Sequence, residues 1–188
     1  DFTAEDPNGH LAGVAGHLEL EPHGVCDTLR LAHGNGDLHL PYGYETLEAE
    51  LCSRFPDECK GIRRYLQGVR SIFESTPFLN LEAETEPEFT SLHGSSLQSV
   101  LDSWIHNKAL RHALALHHFF YGVPPKDVTF QDHARFVGSY YASTRFIKGG
   151  GYALAKAFEA ALHKAGVMLS CGRGVQRVLC SASGALTG

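Results

Sequence analysis

Glycine and proline punctuate this chain so closely that no regular element can be long. Pro41, Pro56, Gly122 with Pro124-Pro125, the run Gly149-Gly150-Gly151 and Gly166 each stop or restart an element. Proline lacks an amide hydrogen and locks its own φ, while glycine accepts the left-handed conformation that ends a helix. The chain is thereby cut into short helices and strands. No apolar run approaches the ~20 residues needed to cross a bilayer.

Apolar spacing assigns the pieces between these breaks. Residues 1–15 are Gly-rich and polar and are expected to form a flexible N-terminal segment. His17-Leu18-Glu19-Leu20-Glu21 alternates as a strand does. Thr28–Leu31 and Asp37–Leu40 flank His33-Gly34-Asn35-Gly36, a hairpin signal, because Asn and Gly tolerate positive φ. Leu47, Leu51 and Phe55 predict a helix from about Tyr44. Pro56 fits the first turn of a second helix, with Cys59, Ile62, Leu66, Val69 and Phe73 on one face. Lys60, Arg63, Arg64 and Arg70 lie on or beside the opposite face, as a solvated surface or, alternatively, an anion site.

Helices are next expected over residues 95–121, with Asn107 as an internal N-cap and Gly122 as the stop. Thr129 should cap a helix over Phe130–Tyr141. The last unit begins at the Gly149–Gly151 run. A helix carries Leu154, Phe158, Ala161 and Leu162, and strands are expected at Val167–Ser170 and Val175–Leu179. The expected fold is α+β, a small mostly antiparallel sheet packed by about five helices. The expected division is residues 1–15, 16–146 and 147–188.

The chain has 188 residues, 43% hydrophobic and 20% charged, enough for one domain with its own core. The net charge of -5 leaves no excess of Lys and Arg for phosphate contacts, so nucleic acid is not an expected partner. The cysteines are Cys26, Cys52, Cys59, Cys171 and Cys180. An odd number without Cys-x-x-Cys suggests reduced, mostly buried thiols in a cytoplasmic protein. The opening at Asp1 and the strand-like close at Ala185-Leu186-Thr187-Gly188 suggest an excised domain.

Tests for chemistry mostly eliminate. Of the twelve His, His106, His112, His117 and His118 cluster, yet no two of these four are three or four apart. One helix face therefore cannot present two of them to a metal. His33 and His39, on opposite hairpin arms, supply only two ligands, and no metal is expected. Glu82, Glu84, Glu86 and Glu88 stand in a Pro-containing polar run and read as an exposed loop rather than a glycosidase carboxylate pair. There is no Gly-x-Ser-x-Gly elbow and no Walker loop. The runs beginning at Gly34 and Gly172 lack the third glycine of a dinucleotide fingerprint, and neither joins a strand to a helix.

The last third does carry a pattern. Ile147-Lys148-Gly149-Gly150-Gly151-Tyr152-Ala153-Leu154, then Phe158-Glu159-Ala160-Ala161-Leu162-His163-Lys164-Ala165-Gly166, then Val175-Gln176-Arg177-Val178-Leu179 follow in order. Together they resemble the phytoene desaturase and retinol saturase branch of flavin-containing oxidoreductases, which is similar in turn to the amine oxidases. Arg54-Phe55-Pro56-Asp57-Glu58 with Gly61–Leu66 resembles the helix pair that opens the substrate domain of that branch. Tyr121-Gly122-Val123-Pro124-Pro125 resembles its Tyr-Gly-x-x-Pro segment, so the ordered match runs over about residues 25–188.

The resemblance implies an FAD-dependent parent enzyme that transfers hydride on an apolar polyene or lipid substrate. Residues 16–146 would be a substrate-type domain, and 147–188 the helix and strands returning toward an FAD domain. Val175 would meet the FAD adenine through its backbone, with Gly149 and Gly150 near the ligand. Tyr140, Tyr141 and Phe146 would line an apolar substrate pocket, or else pack as core. The nucleotide-binding unit that holds the pyrophosphate is absent from these residues. The fragment alone is therefore expected to be inactive and not to hold FAD, and its partner would be the missing FAD domain. A membrane surface is compatible with a lipid-soluble substrate. The alternatives are a non-enzymatic domain binding a hydrophobic ligand or partner through residues 95–141, and a metal-dependent hydrolase using the His cluster.

Overall fold

The computed structural model describes residues 18–21, 25–30, 36–76, 92–142 and 144–187, without the side chains of Val25 and Cys26. They fall into two compact units, residues 22–145 and residues 1–21 with 146–188. The expected carboxylate run Glu82–Glu88, His33 and the tip of the hairpin lie outside the described residues.

The larger unit opens with the expected hairpin. Strand β2 (Val25–Arg30) pairs antiparallel with β3 (Asp37–Pro41), and Gly36 enters β3 at φ 72°. The register shifts between Val25 and Asp27, so Cys26 is an extra residue in β2. After the bulge Asp27 stands opposite Leu40, and Leu29 opposite Leu38. Directly opposed residues share a face. Leu38 and Leu40 are buried, so the bulge turns the Asp27 carboxylate toward the interior.

Helix α1 (Tyr44–Arg54) buries Tyr44, Leu47 and Leu51. A 3-10 turn at Pro56–Glu58 leads into α2 (Cys59–Glu74), which buries Ile62, Tyr65, Leu66, Val69 and Ile72. Helix α3 (Leu97–Trp104) starts at Ser96, whose hydroxyl accepts from the Ser99 amide at 3.1 Å. Helix α4 (Lys108–Ala115) starts at Asn107, whose Oδ1 accepts from the Leu110 amide at 3.1 Å. The buried Glu58 carboxylate also accepts from the amides of His106 (3.0 Å) and Asn107 (2.5 Å), tying the start of α4 to the α1–α2 corner.

A single helix does not run from Asn107 to Tyr121. It tightens at Leu116 and His117, where i→i+3 bonds take over, and resumes as the one-turn α5 (His118–Tyr121). Gly122 ends it at φ 69°. Helix α6 (Phe130–Ala142) follows, with Thr129 Oγ1 accepting from the Asp132 amide at 3.0 Å. One core is formed by β3, α1, α2, α3, α4 and α6, all in this unit.

In the smaller unit, β1 (Leu20–Glu21) pairs antiparallel with β4 (Phe146–Ile147), and α7 spans Gly150–Lys164. The helix closes on Gly166 with the paired bonds Gly166 N–H to His163 O and Val167 N–H to Leu162 O. The described residues thus hold seven α-helices and two two-stranded antiparallel sheets, an α+β fold. The expected single sheet is two separate ones, because β1 pairs with β4 and not with the hairpin.

The strands expected at Val167–Ser170 and Val175–Leu179 do not form. An extended segment becomes a strand only when a neighbour takes its amide and carbonyl groups. Here the described residues supply only a bridge between Cys180 and Leu186.

Two glycines let helices touch at backbone distance. A Cβ on Gly138 would collide with the Phe73 side chain. On Gly61 it would collide with the Trp104 carbonyl oxygen and lie 2.8 Å from Ile105 Cδ1. Gly61→Ala is therefore expected to destabilise the protein by roughly 1–3 kcal/mol, although alanine favours a helix by about 1 kcal/mol. Urea denaturation measures the balance, and a stabilised variant would disprove the contact.

Candidate functional site

Polar groups buried in an apolar core are costly without partners, and in the larger unit the buried imidazoles gather with phenols in two clusters that share α6. The first forms where α2, α4 and α6 meet. Helix α6 buries Phe130, Ala134, Val137 and Tyr141 at helical spacing, and His133 falls on the same face. His133 is fully buried. Its Nε2 lies 2.8 Å from Tyr65 Oη and its Nδ1 lies 2.8 Å from Tyr121 Oη. Tyr65 Oη is also 3.2 Å from the Leu114 carbonyl oxygen and 3.3 Å from Tyr141 Oη.

A phenol has one hydrogen and accepts through oxygen, which fixes the tautomer that satisfies every contact. Tyr65 donates to the Leu114 carbonyl and accepts from His133 Nε2–H and Tyr141 O–H. Tyr121 then donates to His133 Nδ1. Burial pushes the His133 pKa down to about 3, helped by the neighbouring His117 and His118. Burial also holds the Tyr65 hydroxyl well above its ordinary value and moves Tyr121 up to about 12. The cluster is neutral and its protons are fixed.

The second cluster is nearer the surface. The tightened turn after α4 buries His117 while leaving Phe119 and Phe120 outside. His117 Nε2 lies 3.1 Å from Asp27 Oδ2, which the β2 bulge directs inward, and the Tyr140 hydroxyl donates to that oxygen at 3.3 Å. The rings of Tyr140, Phe120 and Tyr141 surround the imidazole at centroid distances of 4.8, 5.5 and 5.7 Å. A carboxylate only accepts, so Nε2 carries the proton and Nδ1 is left as the basic atom. Nδ1 is buried and has no hydrogen-bond partner among the described residues. Burial lowers the His117 pKa, and Asp27 opposes that shift.

Above this pair lies an aromatic patch. Phe119, Phe120 and Phe136 are 55%, 49% and 44% exposed, and Phe120 lies 4.6 and 6.1 Å from the other two rings. The arrangement offers an apolar contact surface beside an oriented, uncharged imidazole. That imidazole can accept a hydrogen bond or a proton.

Of the substrate residues expected from sequence, Tyr140 belongs to the His117 cluster and Tyr141 to the core, bonded to Tyr65. Phe146 lies in β4, in the smaller unit. Gly149 is the N-cap of α7 in the left-handed region and Gly150 its first residue, at φ 84° and 64°. A Cβ on Gly150 would meet nothing within 4 Å, and Val175 is 85% exposed outside any strand.

The clustered histidines separate. His106 projects into solvent beside Glu58, and His117 is interior. No group of three His, Cys, Asp or Glu among the described residues converges as metal ligands. Two residues of the basic stripe of α2 are paired with carboxylates and a third stacks on an aromatic ring. Arg63 pairs with Glu48, Arg70 with Glu45 and Glu74, and Arg64 stacks over Trp104 at 4.5 Å. Among the described residues no helix is long and apolar enough to cross a membrane. A comparison with family models, curated proteins and solved structures finds no match to the chain.

Histidine held neutral in the fold gives stability a definite pH dependence. Above the ordinary histidine pKa both states are uncharged and nothing is lost. Below it the unfolded chain takes up a proton that native His133 refuses, so stability falls toward acid. The expected slope is up to about 1.4 kcal/mol per pH unit as the pH drops from about 6.5 to 5, and His117 adds in the same sense. Urea titrations across that window measure it. His133→Asn should be less stable at pH 8 and show a shallower slope. A flat wild-type profile would contradict the buried neutral imidazole.

Proposed function

We propose that this chain is the substrate-domain portion of an FAD-dependent oxidoreductase of the phytoene desaturase and retinol saturase type. The parent enzyme moves hydride on an apolar polyene or lipid. The observation that carries the reading lies after α7. Val167, Met168, Leu169, Val175, Val178, Leu179 and Leu186 are all exposed, Met168 by 87%, and residues 167–179 pair with nothing in a ladder. A soluble domain rarely leaves so much contiguous apolar chain in water without something to cover it. The ordered resemblance names the cover, a sheet of the FAD domain against which Val175–Leu179 would run as a strand.

On this reading the flavin supplies the redox chemistry when bound, and this chain binds and orients the substrate. The Phe119, Phe120 and Phe136 surface suits an apolar substrate. His117, turned by Asp27, lies buried beneath that surface. Val175, Gly149 and Gly150 remain the residues expected to approach the nucleotide once the sheet is complete. A second reading, a hydrophobic-ligand or partner-binding domain without redox chemistry, draws on the same aromatic patch.

Purification of the protein from its natural gene separates the two. The flavoenzyme reading expects stoichiometric FAD in the full-length product and none in the 188-residue chain. It also expects a strand–Gly-x-Gly-x-x-Gly–helix unit upstream of Asp1. A full-length protein without that unit and without flavin, still binding an apolar fluorophore through Phe120, would leave the binding domain as the function.

A further inference from the structure

Helix α5 is the shortest α-helix among the described residues, and it touches both buried imidazoles. Phe120 packs on His117 at a centroid distance of 5.5 Å, and the Tyr121 hydroxyl bonds His133 Nδ1 at 2.8 Å. The helix is one turn long and buries none of its own residues. It is joined to α4 by i→i+3 bonds, and the Phe119 amide reaches the Leu116 carbonyl only at 3.5 Å. Segments that bury little and share few hydrogen bonds are the first to open locally. Helix α6, on the other side of His117, buries seven residues.

The closed turn accommodates one charge state of His117. The ring is 1% exposed, with Nε2–H committed to Asp27 at 3.1 Å. Nδ1 is enclosed beside the rings of Phe120, Tyr140 and Tyr141. A proton on Nδ1 turns it into a donor, and the described residues supply no acceptor. A buried charged donor without a partner is costly. The titratable groups facing the ring are Asp27 from β2 and Tyr140 and Tyr141 from α6. His118 flanks it on the turn, and His133 of α6 feels the charge of both His117 and His118. Of these only Asp27 favours the imidazolium, and burial outweighs it. In water the same imidazole takes up a proton near pH 6.5.

We propose that α5 is a proton-operated latch: protonation of His117 at Nδ1 swings the Leu116–Gly122 turn outward until Nδ1–H meets water, carrying Phe119 and Phe120 with it while the rest of the larger unit stays folded. Open and closed forms differ by one bound proton. The open fraction therefore rises by up to about ten-fold for each pH unit below about 6.5. An apolar ligand on the Phe119, Phe120 and Phe136 surface would favour the closed turn, and acid would release it. That coupling rests on the proposed substrate surface; the latch does not, and its test needs no ligand.

Amide hydrogen exchange on the folded 188-residue chain between pH 7.5 and 5, corrected for intrinsic rates, reads the latch. The amides of Phe120 and Gly122 are bonded to the His117 and His118 carbonyls. They should be at least ten-fold less protected than the amides of α2, and lose about ten-fold in protection from pH 6 to 5. His117→Gln keeps a donor for Asp27 and cannot titrate, so it should flatten that dependence. Imidazole nitrogen shifts should show wild-type His117 as the neutral Nε2–H tautomer at pH 7. A His117 that becomes charged with the protection of Phe120 and Gly122 unchanged would overturn the proposal. So would equal protection of α5 and α2, which means global unfolding, or the same pH dependence in His117→Gln. The imidazole measurement uses the wild-type chain and decides the matter even where His117→Gln fails to fold.

Discussion

Tyr65 is the group on which the larger unit depends. Its ring is wholly buried, and its single oxygen meets a main-chain carbonyl, an imidazole and a second phenol. In a dry interior each of these would be costly without the others. The contacts can be made together only if α2 and α6 cross at the spacing that Gly138 permits against Phe73. Packing and proton placement are therefore one constraint. The helices approach closely enough to exclude water, and exclusion of water makes the hydrogen-bond pattern unique.

The second cluster inherits that rigidity. Tyr140 and Tyr141 are consecutive on α6, so the residue that faces Asp27 is placed by the one that faces Tyr65. His117 is set by the tightened turn after α4, whose carbonyl at Leu114 is already engaged by the same phenol. The oriented imidazole of His117 and that of His133, both buried, are thus held by shared elements.

Element ends were legible in the sequence. Asn107, Thr129, Gly122 and Gly166 act where their side chains or backbone freedom predicted, because capping is decided within a few residues. The core face of α2 was legible in part: Ile62, Leu66 and Val69 are buried as expected, Cys59 and Phe73 are only half-buried, and Tyr65 and Ile72 were not foreseen. The polar interior was less so. His133 sits at the third and fourth positions from Phe130 and Val137, so the periodicity of α6 was enough to place it inside. A search for metal spacing passed over it because its partners are tyrosines. Asp27 could not have been found. Its inward turn depends on one bulged residue, and alternation alone does not announce a bulge. The strands expected after Gly166 show the limit from the other side. Strand pattern is local, but strand pairing needs a neighbour, and none is present among the described residues. The resemblance to flavin-dependent oxidoreductases rests on sequence order, and the aromatic patch and the exposed apolar run are compatible with it.

The span of the central contacts has a consequence for how the molecule assembles. Tyr65 and His133 are 68 positions apart, and Tyr44 reaches the Gly138 carbonyl across 94. Closing such spans costs entropy before any contact repays it, whereas the hairpin and the capped helices need only near neighbours. Local pieces therefore form early, and the tyrosine–histidine centre is among the last features to lock. Until it does, the hydroxyls and imidazole destined for the core remain in water. The protein's specificity is completed at the end of folding, by the same bonds that keep its interior dry.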